Sequence, residues 1–355
     1  MTSLLSDGSW DHEEVHVRTT RTGLPVVFAI HSRGGSGVAL GGCRLLTSSN
    51  ADDALKDAIR LSRGMTFKAA AAGLQHGGGK CVIAAPTPSL TGAVRRDTLL
   101  EVGDMVEEFD GRFATGADAG TDTDDARVLR ERSRHIVGIP DLEKGWGDPS
   151  ALTATGVIVA IRAACERVFD SDGLAGRRIA VLGLGKVGAD VARTAAEEGA
   201  QLYVSDVDLQ KKAIADEIGA TWLGPEDLLG AETDVLSPCA LGGVVNRYNV
   251  AGLRCRVIAG SANNQLADPT IAALLRRRGI LYVPDFIANA GGMISVAGEL
   301  DGYDEAEAMT RTLAIRETLQ DVFGTSHALA VTTVEAAERL ARTRVGARLG
   351  IGSEQ

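Results

Sequence analysis

The sequence has no paired or metal-like cysteine spacing, no long basic run, no apolar stretch of membrane-spanning length and no internal repeat or low-complexity tract. Each absence removes a class of function. The five cysteines, Cys43, Cys81, Cys165, Cys239 and Cys255, are scattered along the chain. That argues against a disulfide framework or a metal site, and it fits a reducing, cytoplasmic setting. A net charge of −10 offers nothing that would attract nucleic acid or anionic lipid. The triplet Arg276-Arg277-Arg278 reads as the end of a helix, where cations suit the dipole. The first residues, Met1 to Asp7, lack the basic-then-apolar pattern of a signal segment. No run is long enough to cross a bilayer. A chain of 355 residues, 45% of them hydrophobic, is long for one core and typical of two.

What is present begins with the stretch from Met65 to Lys80, which holds Lys68 and Lys80 around a glycine run. Thr66 to Ala72 reads as a turn or two of small-residue helix. Gly77, Gly78 and Gly79 then read as a break that brings Lys80 back towards Lys68. Two neighbouring ammonium groups ease each other's deprotonation, and a lysine in an apolar, glycine-lined pocket can serve as a general base. The plain alternative is a glycine turn with two solvated lysines. Before this stretch, Val26 to Ile30 and Val38 to Arg44 read as strands, and Ala51 to Arg63 as an amphipathic helix capped by Asn50. After it come a strand at Cys81 to Ala84, a helix from Asp97 to Glu108, and, within Arg112 to Thr121, a strand that stops among small residues. The acid that follows, Asp118, reads either as a cap for the helix from Asp122 or as a carboxylate beside the two lysines.

Lys144-Gly145-Trp146-Gly147-Asp148-Pro149-Ser150 is polar and rich in glycine and proline, and is expected to be a domain boundary. Beyond it, a helix opens with Thr153 at its mouth. Arg178 to Leu182 is a buried strand that runs into Gly183-Leu184-Gly185-Lys186-Val187-Gly188. A helix to Glu198 follows, then a strand from Gln201 to Ser205 that ends at Asp206. Strand, G-x-G-x-x-G, helix, strand and an acid roughly twenty residues on make the fingerprint of a dinucleotide site. Gly183 permits the turn, Gly185 the approach of the pyrophosphate, Gly188 the packing of helix on strand, and the phosphates meet the helix N-terminus. Asp206 suits ribose hydroxyls and repels a 2′-phosphate, so NAD is expected over NADP. Further strands at residues 221–223, 234–236, 256–259 and 280–283 complete a doubly wound parallel sheet. Their carboxyl ends carry Cys239, Ala240, Asn263, Asn264 and Asn289. The asparagines are either turn residues or ligands for cofactor and substrate. Thr332 to Leu349 reads as a last helix, packed on the first domain or used in subunit contact.

Taken in order, Gly41-Gly42-Cys43-Arg44, Met65-Thr66-Phe67-Lys68, Gly77-Gly78-Gly79-Lys80, Thr115-Gly116-Ala117-Asp118, the fingerprint, Pro238 to Gly243, Ala262 to Gln265 and Asn289-Ala290-Gly291-Gly292 resemble the leucine, phenylalanine and valine dehydrogenases of the amino-acid dehydrogenase family. The resemblance runs from about Ile30 to Ile294. It implies a two-domain α/β enzyme: a substrate and oligomerisation domain over residues 1–144, a Rossmann domain over 145–330, and a C-terminal helix over 331–355 that returns to the first domain or serves subunit contact. The implied reaction is the reversible, NAD-dependent oxidative deamination of an apolar L-amino acid to the 2-oxo acid and ammonia. By the same resemblance Lys68 binds the substrate carboxylate, Lys80 is the base that activates water, and Asp118 assists proton transfer. Leu40, Gly41, Gly42, Gly116, Asn264, Met293 and Val296 contact the substrate. Thr153, Gly183, Gly185, Lys186, Val187, Gly188, Asp206, Cys239, Ala240, Asn264 and Asn289 hold NAD. A glutamate-specific relative needs a cation where this chain has Leu40 and a hydroxyl where it has Val296, so an apolar side chain is expected. Gly116 suggests room for an aromatic substrate, Met293 takes room back, and Gly73 to Gly77 is more like the valine enzymes. Ala119, Ser237 and Ser261 depart from the usual Val, Ala and Ala and bear on the substrate, not the chemistry. A homo-oligomer without nucleic-acid or membrane partners is implied. The alternatives are a dehydrogenase of another small acid and a non-catalytic, NAD-sensing protein.

Overall fold

The computed structural model describes residues 11–48, 50–86, 90–139 and 148–349. The boundary segment Lys144 to Gly147 and the start of the chain lie outside the described residues. Two compact units result. One comprises the chain up to Asp148, together with Ser295–Tyr303 and the residues from Ala341 onward; the other comprises Pro149–Ile294 and Asp304–Leu340.

The first unit contains β1 (Glu14–Thr19), β2 (Pro25–Gly34), β3 (Ala39–Thr47), α1 (Ala51–Ala71), β4 (His76–Ala85), α2 (Gly92–Glu107), β5 (Phe113–Ala117) and α3 (Thr123–Arg130). Its five strands form a mixed sheet in the order β1-β2-β4-β3-β5. The outer strand β1 runs antiparallel to β2, and β2 antiparallel to β4, while β3 is parallel to both β4 and β5. Alternation along the strands sorts the two faces. Val27, Ala29, Val82 and Ala84 pack with Ala54 and Ala58 of α1. Phe28, Ile30, Cys81 and Ile83 pack with Leu99, Val102 and Val106 of α2 and Leu129 of α3. Rings of Phe28, Phe109 and Phe113 meet there at centroid distances of 5.2–6.0 Å.

The two-lysine stretch differs from its sequence reading. The expected short helix at Thr66 is the end of the 21-residue helix α1, capped at its start by Asn50 and terminated at Ala72 and Gly73, where φ is +74°. The three glycines do not break a helix. They lie inside β4, a ten-residue strand that is buried throughout. The reason is space: a Cβ on Gly78 would stand 2.1 Å from the Thr66 nitrogen and 2.4 Å from the Ser62 oxygen. Glycine here lets a helix lie directly on a strand.

The second unit contains α4 (Ser150–Phe169), β6 (Arg178–Leu182), α5 (Lys186–Glu197), β7 (Gln201–Ser205), α6 (Lys212–Glu217), β8 (Thr221–Trp222), α7 (Pro225–Gly230), β9 (Val235–Pro238), β10 (Val257–Ile258), α8 (Thr270–Arg277), β11 (Leu281–Tyr282) and α9 (Asp285–Ala288). Helix α10 (Gly291–Asp301) divides between the units at Ile294, and α11 (Glu305–Leu313), α12 (Ile315–Ala328) and α13 (Thr333–Leu349) follow. The sheet order is β11-β10-β9-β6-β7-β8, all parallel. This is the doubly wound arrangement expected, with its switch in strand order between β6 and β9. The arginine triplet ends α8, as its sequence suggested.

Gly78→Ala should destabilise the protein by about 1–3 kcal/mol, because backbone and not a flexible side chain must yield. Gly64→Ala, in the exposed middle of α1 with nothing within 4 Å of the added carbon, should stabilise it by about 0.5–1 kcal/mol. Denaturant unfolding of the two variants checks the opposite signs.

Candidate active site

Strand parity places the chemistry. Lys80 has the same parity as Val82 and Ala84, so its side chain lies on the α1 face of the first sheet. Gly42 and Arg44 of β3 share that face. The Lys80 ammonium lies 2.7 Å from Oδ2 of Asp118, just past the end of β5. Only 5% of the Lys80 side chain is exposed. A Cβ on Gly42 would fall 2.6 Å from the Asp118 Cβ and 3.3 Å from the Lys80 ammonium. The glycine therefore provides the space in which acid and amine meet.

Asp118 is not the helix cap that one sequence reading offered. Asp122 caps α3 in a reciprocal box with Asp125. Asp118 belongs to a turn stitched to β3. Its backbone N–H donates to Thr121 Oγ1, whose hydroxyl donates to the Cys43 carbonyl, and Leu45 N–H donates to the Ala119 carbonyl. Burial works to raise the carboxyl pKa of Asp118, but the charges of Lys80 and Arg44 outweigh it and hold the group below its ordinary value. Arg44 donates its Nε–H to the same Oδ2, at 3.0 Å. Sequence alone gives Arg44 no place at the site, although Gly41-Gly42-Cys43-Arg44 is one of the ordered motifs. The register that brings it beside Asp118 is a property of the folded sheet.

The remaining expected substrate residues stand as follows. Lys68 lies in the last turn of α1. Leu40 is fully buried on the same face of β3. Gly41 and Gly42 pair in register with Thr115 and Gly116 of β5. Gly116 differs from the expectation that it opens room: a Cβ there would meet the Val137 carbonyl oxygen at 2.5 Å. Its glycine admits the residue 135–137 segment, which bonds to Thr115 through both backbone groups. Val296, in the part of α10 that belongs to the first unit, lies 3.7 Å from where a Gly138 Cβ would stand. Met293 is buried in the second unit.

In the second unit the glycine turn follows β6 directly. Gly183 has φ +101° and donates its N–H to the Ser205 carbonyl. A Cβ on Gly188 would lie 2.0 Å from the Gly183 oxygen and 2.9 Å from the Cys239 Cβ, so α5 seats on both turns. A Cβ on Gly185 meets nothing within 4 Å, at the N-terminus of α5, where Lys186 and Val187 begin the helix. Asp206 accepts the Leu184 N–H at 2.6 Å and the Asp208 N–H at 2.8 Å. These are the features a pyrophosphate and an adenosine ribose require: a helix N-terminus opened by glycine and a carboxylate at the end of the neighbouring strand. Cys239 and Ala240 sit at the carboxyl end of β9. Thr153 donates its hydroxyl to the Pro149 carbonyl inside the first turn of α4 and lies against Gly292. Asn264 adopts the left-handed conformation, with φ +53°. Asn289 is buried and donates to the Ser261 carbonyl and to Asn263 Oδ1, so it braces the loop after β10.

Residues 204–349 match the family model described as glutamate/leucine/phenylalanine/valine dehydrogenase, and residues 16–130 match the dimerisation domain of the same family. An L-tryptophan dehydrogenase of Nostoc punctiforme is 41% identical over 91% of this chain and 90% of its own length. This chain belongs to the glutamate/leucine/phenylalanine/valine dehydrogenase family. A phenylalanine dehydrogenase of Caldalkalibacillus thermarum is 38% identical over 99% of this chain and 96% of its own. The crystal structure of an L-tryptophan dehydrogenase from Nostoc punctiforme superposes with a TM-score of 0.82, at 37% identity, over 96% of this chain and 97% of the other. Residues 160–241 also match the NAD-binding domain of D-isomer-specific 2-hydroxyacid dehydrogenases. That match covers only the nucleotide-binding portion, so it supports NAD and says nothing of the substrate.

The depressed Asp118 pKa has a definite pH consequence. Its folded value lies below 3.8, so its contribution to stability is complete above that pH and is lost as pH falls through the folded value. Asp118→Asn should lower stability near neutrality and flatten the acid-side fall below about pH 4. Urea unfolding as a function of pH measures both effects.

Proposed function

We propose that Lys80 and Asp118 are the proton-transfer pair of an NAD-dependent L-amino-acid dehydrogenase, with Lys68 as the anchor for the substrate carboxylate. As a family member the protein carries out the reversible oxidative deamination of an apolar amino acid to the 2-oxo acid and ammonia. The observation that carries the residue assignment is the 2.7 Å contact between an almost fully buried ammonium and a carboxylate held below its ordinary pKa.

The residues suit the steps. NAD supplies the acceptor for the hydride that leaves Cα. Lys68 meets the substrate carboxylate through a charge-assisted contact. Lys80, once neutral, takes a proton from water as its oxygen attacks the imine carbon. Asp118 exchanges a proton with the substrate nitrogen, which then departs as ammonia when the carbinolamine C–N bond breaks. Burial of Lys80 limits bulk water around this exchange. In the second unit the α5 N-terminus holds the pyrophosphate and Asp206 the adenosine ribose.

Leu40, Gly116 and Val296 of the first unit, and Met293 of the second, carry no charge or hydroxyl. This favours branched-chain or aromatic amino acids over glutamate, whose carboxylate would be left unpaired. The Val137 carbonyl behind Gly116 sets one limit on size. The dimerisation-domain match over residues 16–130 supports assembly of identical copies through the first unit. The scattered cysteines, all free, suit a cytoplasmic setting.

Lys80→Ala should reduce deamination by at least about a thousandfold, a loss of the size expected for an acid–base group, while NAD binding followed by protein fluorescence stays near the parent value. Retained turnover would remove the assignment. A screen of L-amino acids with NAD should show turnover confined to apolar side chains, and the reverse reaction should require ammonia; reduction of a 2-oxo acid without ammonia would instead indicate a hydroxyacid dehydrogenase. Asp206→Ala should weaken NAD and narrow its advantage over NADP, read from KM for each cofactor.

A further inference from the structure

The Asp118 carboxylate has two cations on one oxygen. Lys80 reaches Oδ2 from β4 at 2.7 Å, and the Arg44 Nε–H reaches the same atom from β3 at 3.0 Å. Arg44 does not swing freely. Its Nη1 donates to Oδ2 of Asp57 on α1 at 3.1 Å, and Oδ1 of Asp57 accepts from Arg60 at 2.7 Å. The planar guanidinium is thus held between two carboxylates on different edges. Burial works against the Arg44 cation, but Asp118 and Asp57 outweigh it and hold its proton more firmly. The result is a row of alternating charge, Lys80, Asp118, Arg44, Asp57, Arg60, running from the buried lysine to the exposed arginine.

We propose that Arg44 is the positioning and charge-balancing residue of this site, which holds Asp118 in place and keeps it neutralised so that Lys80 is free to act as the base. The proposal rests on the reading of Lys80 as that base. Consider the site with Arg44 absent. Loss of the Lys80 proton would leave Asp118 as an uncompensated negative charge among buried strands, which is costly. With Arg44 present, the proton can leave and a balanced carboxylate–guanidinium pair remains. Asp57 and Arg60 of α1 stand beyond Arg44, and Lys68 is in the last turn of the same helix. From the turn after β5, Thr121 contributes only its hydroxyl, to the Asp118 backbone. Cys81, next to Lys80 in β4, turns to the opposite face of the sheet, and burial pushes its thiol well up so that it stays neutral.

The test is the pH dependence of kcat/KM, with NAD and whichever of L-leucine, L-phenylalanine and L-tryptophan turns over fastest. Arg44→Met should move the acidic limb to higher pH by about one unit, the scale of a nearby charge. Arg44→Lys should bring the limb back towards the parent while kcat stays reduced, since the charge returns without the fork. Asp57→Asn should move the limb the other way, to lower pH, because the Arg44 charge is no longer shared. A purely structural role for Arg44 would reduce activity at every pH and leave the limb where it was, and that outcome overturns the proposal. If Arg44→Met does not fold, Asp57→Asn decides: an unmoved or upward limb overturns it. Lys80→Ala measured alongside separates the two readings. If that variant keeps its turnover, the base assignment and the Arg44 role both fall. If it is inactive and the Arg44→Met limb is unmoved, only the Arg44 role falls.

Discussion

A lysine ammonium with almost no access to water is held against one aspartate, and much of the first unit is arranged to make that contact possible. Burying an ammonium alone would be prohibitive, and a carboxylate at 2.7 Å offsets the loss of hydration. The carboxylate is itself desolvated and needs more than one partner, which Arg44 and the Ala119 amide provide. Asp118 and Lys80 could not converge as they do around a β-carbon at position 42, which would stand 2.6 Å from the Asp118 Cβ. The electrostatic pair and the missing side chain are therefore one constraint seen from two sides.

The same logic of absent side chains governs the neighbouring strands. Gly78 lets α1 lie on β4 and so brings the helix that ends near Lys68 against the strand that carries Lys80. Gly116 lets the residue 135–137 segment extend the sheet beyond β5. In the second unit, Gly188 seats α5 on the turn that precedes it. Each close approach replaces side-chain packing by contact with backbone, which leaves little slack for larger residues. The site is precise because its framework is close-packed at the points where side chains are missing.

Much of this was legible in the sequence. The nucleotide fingerprint could be read because its parts are consecutive: strand, glycine turn, helix, strand and Asp206 lie within one βαβ unit. The order of the family motifs, the parallel sheet, the arginine triplet at the end of α8 and the Asn50 cap of α1 were legible for the same local reason. The glycine run at Gly77 to Gly79 misled, because glycine in a sequence suggests a turn and only a neighbouring helix shows that the need is for proximity. Gly116 misled in the same manner. It suggested space for a substrate, and the Val137 carbonyl occupies that direction.

By itself the chain determined the α/β class, the dinucleotide motif and the identity of the residues able to move protons, since these follow from local periodicity and side-chain chemistry. Tertiary structure alone decided which of them meet. Arg44 and Asp118 are 74 positions apart, and their bond depends on β3 lying between β4 and β5 in one register. A shift of one residue would turn Arg44 to the opposite face of the sheet. That alternation, imposed by strand pairing between distant segments, is why the partners of Asp118 had to be seen in the folded molecule.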